Sequence, residues 1–414
     1  MVRIKRLRDD GMAAARLRQA LVDRLTAERL ITQRAVEAAF RAVPRHLFLP
    51  EVTPEQAYGD VAIATKRIRG VAVSSSSQPA IMAVMLEQLD LRPGHRVLEI
   101  GAGTGYNAAL MAYIVGETGR VVSVDIDEDV TEGAHRHLGT AGINDVHVVL
   151  ADGSEGYAEE APYDRIILTV GAADILPAWR DQLTPDGRLV LPLALGGPQE
   201  TVALDRVGDR LESRSMYDCG FMRLRGSHAE ADLAVRLGPE PGISLTPGMR
   251  TAIDPGRVYD WLTGPHTDTL TRLMVRPQEL SSGLRVWLGL HDARTCTLTA
   301  EGDLAERGIV PRLIQGTGPE LYTTTFGLLG DRRIDLLTYE GSRPDTFALC
   351  VRSFGDVADL AGELGQWLGV WDGAGRPMTS RLHLAAYRKG EAPQPNEGQV
   401  RVRKEASDLL LWWR

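Results

Sequence analysis

Between Arg96 and Leu193, short β-rich runs alternate with helical stretches, and this alternation constrains the fold more than any other feature of the sequence. The runs are Arg96–Ile100, Arg120–Asp125, Val146–Leu150, Arg165–Thr169 and Arg188–Leu193, with helical patterns over Tyr106–Val115 and Glu128–Ala141. Such a rhythm predicts βαβ units and a mostly parallel sheet covered on both faces. Gln199–Asp205 and Leu211–Tyr217 follow as a strand pair, placing an antiparallel hairpin at the sheet edge. Upstream, Leu17, Leu21 and Leu25 recur at helical spacing. A second helix carries Val36, Phe40 and Val43, with Thr32 as its expected N-cap and Pro44 as its stop.

After Gly226 the βαβ rhythm is lost. Proline and glycine thicken over Gly238–Gly248, and strand-like runs follow at Leu284–His291, Thr323–Leu328, Ile334–Tyr339, Phe347–Phe354 and Arg381–Tyr387. A helix is expected over Val357–Trp371, and a last strand, Leu409–Trp413, is anchored by its own apolar side chains. The 414 residues therefore divide into a doubly wound α/β domain, 1–226, and an α+β domain, 227–414. The formal net charge of -8 argues against a nucleic-acid partner. No stretch approaches the roughly 20 apolar residues that span a bilayer. The basic N-terminus is followed by no apolar run, so neither a signal peptide nor a membrane partner is expected and the setting is cytoplasmic. Cys219, Cys296 and Cys350 are widely separated and form no CxxC pair, so no metal is expected.

The sharpest motif is Glu99-Ile-Gly-Ala-Gly-Thr-Gly-Tyr106, which follows one strand and opens a helix. Gly101, Gly103 and Gly105 allow a tight turn and let a ligand approach the backbone. A glycine triplet alone fits NAD, FAD or S-adenosylmethionine (SAM). Its surroundings narrow the choice. Asp125 ends the next strand, where a carboxylate can accept from both ribose hydroxyls. Asp152 and Gly153 end a third, positioned for the adenine amino group and ring. Glu99 suits the positive end of SAM. Three acids at successive strand ends fit an adenosyl sulfonium better than a pyrophosphate.

With these residues in place, the sequence resembles the protein-L-isoaspartate O-methyltransferase family over about residues 12–226. The resemblance is carried by Val43-Pro-Arg-His-Leu-Phe-Leu-Pro-Glu51, Ala57-Tyr-Gly-Asp60, Ser77-Gln-Pro79, the Val97–Tyr106 motif, Asp152-Gly153 and Gly187-Arg-Leu-Val-Leu-Pro192. It implies a Rossmann-like SAM-dependent fold and carboxyl methylation at aspartyl-derived residues. It also carries a substrate-carboxylate role to Ser77 and Ser75, with Ser74, Ser76 and Gln78 beside them. Two departures stand out. The segment before Gln78 reads Val71-Ala-Val-Ser-Ser-Ser-Ser77 where the family has Gly-Gln-Thr-Ile-Ser, and the chain continues to Arg414. Both are similar to a divergent branch found with ribosomally made peptides (lanthipeptides, lasso peptides and graspetides), whose members methylate aspartate in a constrained peptide. The ester then closes to a succinimide, which persists or hydrolyses to isoaspartate.

An aspartate has a reference pKa near ~3.9, so its oxygen is already a nucleophile at neutral pH and needs no general base. His46 is accordingly not expected to act as one. The protein must align oxygen, methyl carbon and sulfur and exclude water, and orientation of this kind supplies up to ~7–11 kcal/mol. Hydroxyls hold the anion without quenching it as an arginine would. A serine before Gln78-Pro79 is also a good helix N-cap, and a helix N-terminus attracts anions, so the two roles can coexist. Three expectations follow: a tailoring enzyme acting on Asp in a precursor or macrocyclic peptide, an isoaspartate-repair enzyme with an accessory domain, or a peptide-binding scaffold without catalysis. In the first, residues 227–414 recognise the peptide or cover the active site.

Overall fold

The computed structural model describes residues 11–68, 70–229, 233–248, 252–316, 321–343, 346–356 and 362–414. Helices α1 (Met12–Ala27) and α2 (Arg34–Ala42) lie where the leucine and valine spacing puts them. Thr32 does not cap α2 by itself. The N-cap is Gln33, and the Glu87 carboxylate accepts from the backbone N–H groups of both Thr32 and Gln33. A short α3 (Pro54–Ala57) precedes a hairpin of β1 (Ile63–Ile68) and β2 (Val71–Ser76). Next come α4 (Pro79–Leu89), β3 (Arg96–Ile100), α5 (Tyr106–Val115), β4 (Arg120–Asp125), α6 (Glu128–Ala141), β5 (Val146–Leu150), β6 (Tyr163–Leu168), α7 (Pro177–Asp181), β7 (Leu183–Ala194), β8 (Gln199–Val207) and β9 (Arg210–Cys219). Strands β5-β4-β3-β6-β7 are parallel neighbours, and β8 and β9 extend them antiparallel, as the alternation and the hairpin predict.

The remaining chain gives β10 (Val235–Arg236), β11 (Ile243–Pro247), α8 (Pro255–Thr263), β12 (His266–Val275), α9 (Pro277–Glu279), α10 (Arg285–His291), β13 (Thr295–Glu301), β14 (Ile314–Gly316), β15 (Tyr322–Leu329), β16 (Arg333–Arg343), β17 (Thr346–Gly355), α11 (Glu363–Gly373), β18 (Leu382–Arg388), β19 (Val400–Arg403) and β20 (Ser407–Trp413). Strands β10–β17 form a second, antiparallel sheet in the order β10-β11-β13-β15-β16-β17-β12, with β14 beside β15.

Three expectations are corrected here. Leu284–His291 is helical, because its apolar residues Leu284, Val286, Trp287, Leu288 and Leu290 serve two cores at once. The helix expected over Val357–Trp371 begins at Glu363, with residues 357–361 outside the described residues. The part expected as a separate domain, 227–414, sends β18, β20 and β19 back to the first sheet, where β18 pairs with β9.

One core lies between α1, α2, α4, α5 and the first sheet, and a second covers its other face. Val286 and Leu290 of α10 join that second core, together with Leu384, Leu409 and Leu411. Trp287 and Leu288 of the same helix pack into the second sheet with Trp371. The two sheets thus share α10 as a common wedge. Their backbones also meet closely: a Cβ at Gly289 would lie 2.3 Å from the Gly196 carbonyl oxygen.

Candidate functional site

The glycine turn forms as the motif requires. Gly101, Gly103 and Gly105 all have positive φ (101°, 52° and 84°), a region that excludes most side chains. At Gly101 a Cβ would also lie 2.5 Å from Thr169 Oγ1, whose hydroxyl donates to the Gly101 carbonyl at 2.6 Å. The Gly101 and Ala102 amides donate to the Val124 carbonyl, anchoring the turn to β4. Asp125, at the end of that strand, accepts from the Gly103 amide at 3.1 Å and the Asp127 amide at 3.2 Å. Burial raises its carboxyl above the usual range, against the pull of those two N–H groups.

A single cavity of about 1810 Å³ opens over this turn. Gly101, Gly103, Asp125 and Gly153 line it, as do all of Ser74–Ser77 and Gln78. Glu99, Gly105 and Asp152 stand behind its wall instead. Glu99 is fully buried and accepts from Asn107 Nδ2 (2.8 Å) and Ser123 Oγ (2.5 Å), tying the start of α5 to β4. Its burial pushes the carboxyl up to about 7. At Gly105, a Cβ would sit 3.3 Å from the Leu138 side chain and 3.4 Å from Ala134, so this glycine serves the packing of α5 on α6. Asp152 accepts from the Ser154 amide (2.9 Å) and the Ser227 amide (2.7 Å), fastening the 226–227 segment over the strand ends. Gly153 is fixed by packing too: a Cβ would meet Ile100 Cγ2 at 2.4 Å.

Ser74, Ser75 and Ser76 lie on β2 and Ser77 directly follows it, so strand alternation sorts them. Ser74 and Ser76 are buried and share one face, while Ser75 and Ser77 are half-buried on the other. Thr65 Oγ1 donates to Ser74 Oγ at 3.2 Å. The strand crosses directly over the glycine turn: a Cβ at Gly103 would lie 3.4 Å from the Ser75 carbonyl oxygen. None of these serines caps α4. Its N-cap is Gln78 with no side-chain cap bond, and Asp60 supplies the carboxylate, accepting from the Ala80 amide at 2.9 Å and from Gln78 Nε2 at 3.2 Å. The fully buried Arg45 donates to the Ser77 carbonyl at 2.8 Å and the Ala57 carbonyl at 2.9 Å, with its guanidinium 5.1 Å from the Tyr106 ring centre. Lys66 of β1 reaches Asp127 (3.2 Å) and Asp129 (2.6 Å), and Arg225 also pairs with Asp127 at 2.6 Å. These ion pairs fasten the serine hairpin to the loop that holds Asp125.

Sequence reasoning missed the opposite wall, formed by residues 217–225, Arg236, Ser244, Ser282 and Glu301. Only Thr169, at a strand's carboxyl end, carried a positional signal in the sequence. Among the described residues no cluster of His, Cys, Asp and Glu could hold a metal ion, and no helix is long and apolar enough to cross a membrane.

A glycine cradle that rejects side chains, with a carboxylate bound at the next strand's end, fits an adenosyl cofactor at the switch point of a parallel sheet. The chain is thus a SAM-dependent methyltransferase of the Rossmann-like class. The sequence profile of "Protein-L-isoaspartate(D-aspartate) O-methyltransferase (PCMT)" matches residues 15–229, and the chain belongs to that family. A protein-L-isoaspartate O-methyltransferase of Methanopyrus kandleri is 38% identical over 220 residues, 53% of this chain and 95% of the relative. Protein-L-isoaspartate O-methyltransferase 2 of Archaeoglobus fulgidus is 42% identical over 211 residues, 51% of this chain and 94% of the relative. A solved structure titled protein-L-isoaspartate O-methyltransferase superposes with a TM-score of 0.50 at 25% identity, covering 89% of this chain and 96% of that one. That coverage reaches well past residue 229, so a related protein also carries chain beyond the family's shared part.

Proposed function

We propose that this protein transfers the SAM methyl group to the side-chain carboxylate of an isoaspartyl residue in a protein or peptide. The observation that carries the proposal is the passage of the Ser74–Ser77 strand over the glycine turn inside one cavity. The names of the similar proteins support isoaspartate as the acceptor. Bound SAM supplies an electrophilic methyl. Gly101, Gly103 and Asp125 would hold it, with Glu99 adding negative charge from behind the turn. Ser75 and Ser77 then orient the substrate carboxylate, and the Ser77 carbonyl is itself fixed by Arg45. The carboxylate attacks in ionised form, so no side chain is assigned as a base. Residues 1–226 supply this chemistry, and the second sheet within 227–414 recognises the substrate. The three unbridged cysteines accord with a reducing, cytoplasmic setting.

A second reading keeps the aspartate of a constrained ribosomally made peptide as the acceptor, with succinimide as the product. It is favoured by the rewritten serine segment. The added chain favours it less, since a relative named for isoaspartate also extends beyond the shared domain. Mass spectrometry of two peptides incubated with enzyme and SAM separates the readings. One peptide is linear and isoaspartyl, and the other is a macrocycle containing Asp. A gain of one methyl on the linear peptide supports repair chemistry. Methylation of the macrocycle alone, followed by loss of methanol, refutes it in favour of tailoring.

A further inference from the structure

The cavity is too large for a cofactor alone. Small-ligand pockets span about 300–1,000 Å³, against about 1810 Å³ here. The excess lies between the serine hairpin and the end of the second sheet. There β10, β11 and β13 are antiparallel neighbours, with Arg236 opposite Ser244 and Ser244 opposite Thr299. Alternation turns Ile243, Leu245, Leu298 and Ala300 into a buried core. It leaves Arg236, Ser244 and Glu301 on the wall of the cavity. The second sheet therefore presents its polar face to the same space that receives the substrate.

The charge on this wall is informative. Arg236 and Glu301 are exposed, and among the described residues neither side chain makes a hydrogen bond or an ion pair. At the cofactor end, Arg225 is already matched by Asp127. At the substrate end, Arg236 lines the cavity with Asp218 and Glu301. A chain with a net charge of -8 thus places an arginine side chain, Arg236, on the wall of the cavity beyond the cofactor turn. An exposed guanidinium at the wall of a cleft can pair with an anionic group of a bound partner.

We infer that Arg236 is a specificity-determining residue that reads a second carboxylate of the substrate, outside the methylated residue, so that acidic peptides are preferred. The inference rests on the proposed carboxyl methylation and adds the class of peptide that the site takes. A guanidinium with no internal partner forms a charge-assisted, bidentate pair with a carboxylate at little cost in lost internal bonds. The second carboxylate belongs either to a neighbouring acidic side chain or to the peptide's C-terminus. Glu301, on the same wall, disfavours a close approach by either.

Three isoaspartyl peptides test this: one flanked by alanine and C-terminally amidated, one flanked by glutamate and amidated, and one flanked by alanine with a free C-terminus. The expected wild-type result is a roughly tenfold higher kcat/KM, expressed in KM, for one carboxylate-bearing peptide over the amidated alanine peptide, about one strong charged contact. Which peptide gains identifies the source of the carboxylate. Arg236→Gln brings that ratio close to one, Arg236→Lys restores part of it, and Glu301→Gln raises it. Because the readout is a ratio within one protein, general damage to folding does not imitate it. Equal rates on all three peptides, or a ratio unchanged by Arg236→Gln, overturns the inference. Methylation of none of the three by the wild type overturns instead the isoaspartyl reading on which it rests.

Discussion

Glu200 allows the docking of the two sheets to be measured by titration. It sits on β8 opposite Asp218 on β9 and is fully buried, and among the described residues neither of its carboxylate oxygens has a hydrogen-bond partner. Arg285, at the start of α10, is the cation that acts on both acids, yet among the described residues its Nε also lacks a partner. Desolvation therefore dominates and lifts the Glu200 carboxyl from its ordinary 4.5 to about 8, with the Asp218 charge adding to the rise. The folded state prefers the neutral acid. Its contribution to stability is fully present below pH 4.5, falls as pH rises, and is lost above about 8. The slope is about 1.4 kcal/mol per pH unit while the unfolded chain is ionised and the folded one is not. Between pH 5 and pH 8 the loss approaches about 4 kcal/mol as an upper bound. Glu200→Gln keeps the volume and cannot ionise. Urea unfolding followed by tryptophan fluorescence at pH 5, 6, 7, 8 and 9 should show the variant gaining on the wild type up to about pH 8 and then holding level. Relief of the neighbouring Asp218 acts in the same direction. A wild-type-to-variant difference that stays constant within about 0.5 kcal/mol, a typical limit of additivity, would show that Glu200 does not titrate at this seam.

Other expectations concern the site itself. Asp125→Ala should weaken SAM binding by tenfold or more in calorimetry, since it removes the carboxylate at the cavity wall and the bond to Gly103, each a charge-assisted contact worth ~1.5–3 kcal/mol; an unchanged affinity would remove Asp125 from the cofactor site. With Glu99 held near 7, a bound cation should favour its ionised form. SAM affinity should then rise with pH through about 7 in the wild type and stay flat in Glu99→Gln. Ser75→Ala and Ser77→Ala should each lower kcat/KM by roughly fivefold or more, about one neutral hydrogen bond, with SAM affinity retained; full activity in the double variant would refute the orienting role. Gly153→Ala should cost about 1–3 kcal/mol in a melting or denaturant assay, because the added methyl overlaps Ile100.

The first sheet was largely legible because its signals are local. Strands β3, β4 and β5 and helices α5 and α6 fall on the residues that periodicity and glycine boundaries mark. The cofactor turn was legible for the same reason. The serine hairpin was not, since Val71–Ser76 ends in residues of poor β-propensity and only its pairing with Ile63–Ile68 makes it a strand. Asp60 was quoted within a motif, but its capping of α4 depends on chain folding back across some twenty residues. Leu284–His291 misled because its apolar residues satisfy both a two-residue and a helical spacing; contact with two cores decides for the helix. The far wall of the cavity left no motif at all. Arg236 and Glu301 reach the cavity only through where the second sheet is placed, which no short window of sequence contains.

The return of β18–β20 to the first sheet changes what the second sheet is. In chain order it is an insert, spliced between β9 and β18 and held by two covalent strands of connection. Cutting the protein after Gly226 would strip β18, β19 and β20 from the catalytic sheet and expose the edge of β9, which invites aggregation. A minimal catalytic body would need the insert excised and the ends near Leu224 and Leu382 rejoined by a linker. The same double tether, with α10 packed into both cores, fixes where the insert sits over the cavity, as a visor riveted at both temples.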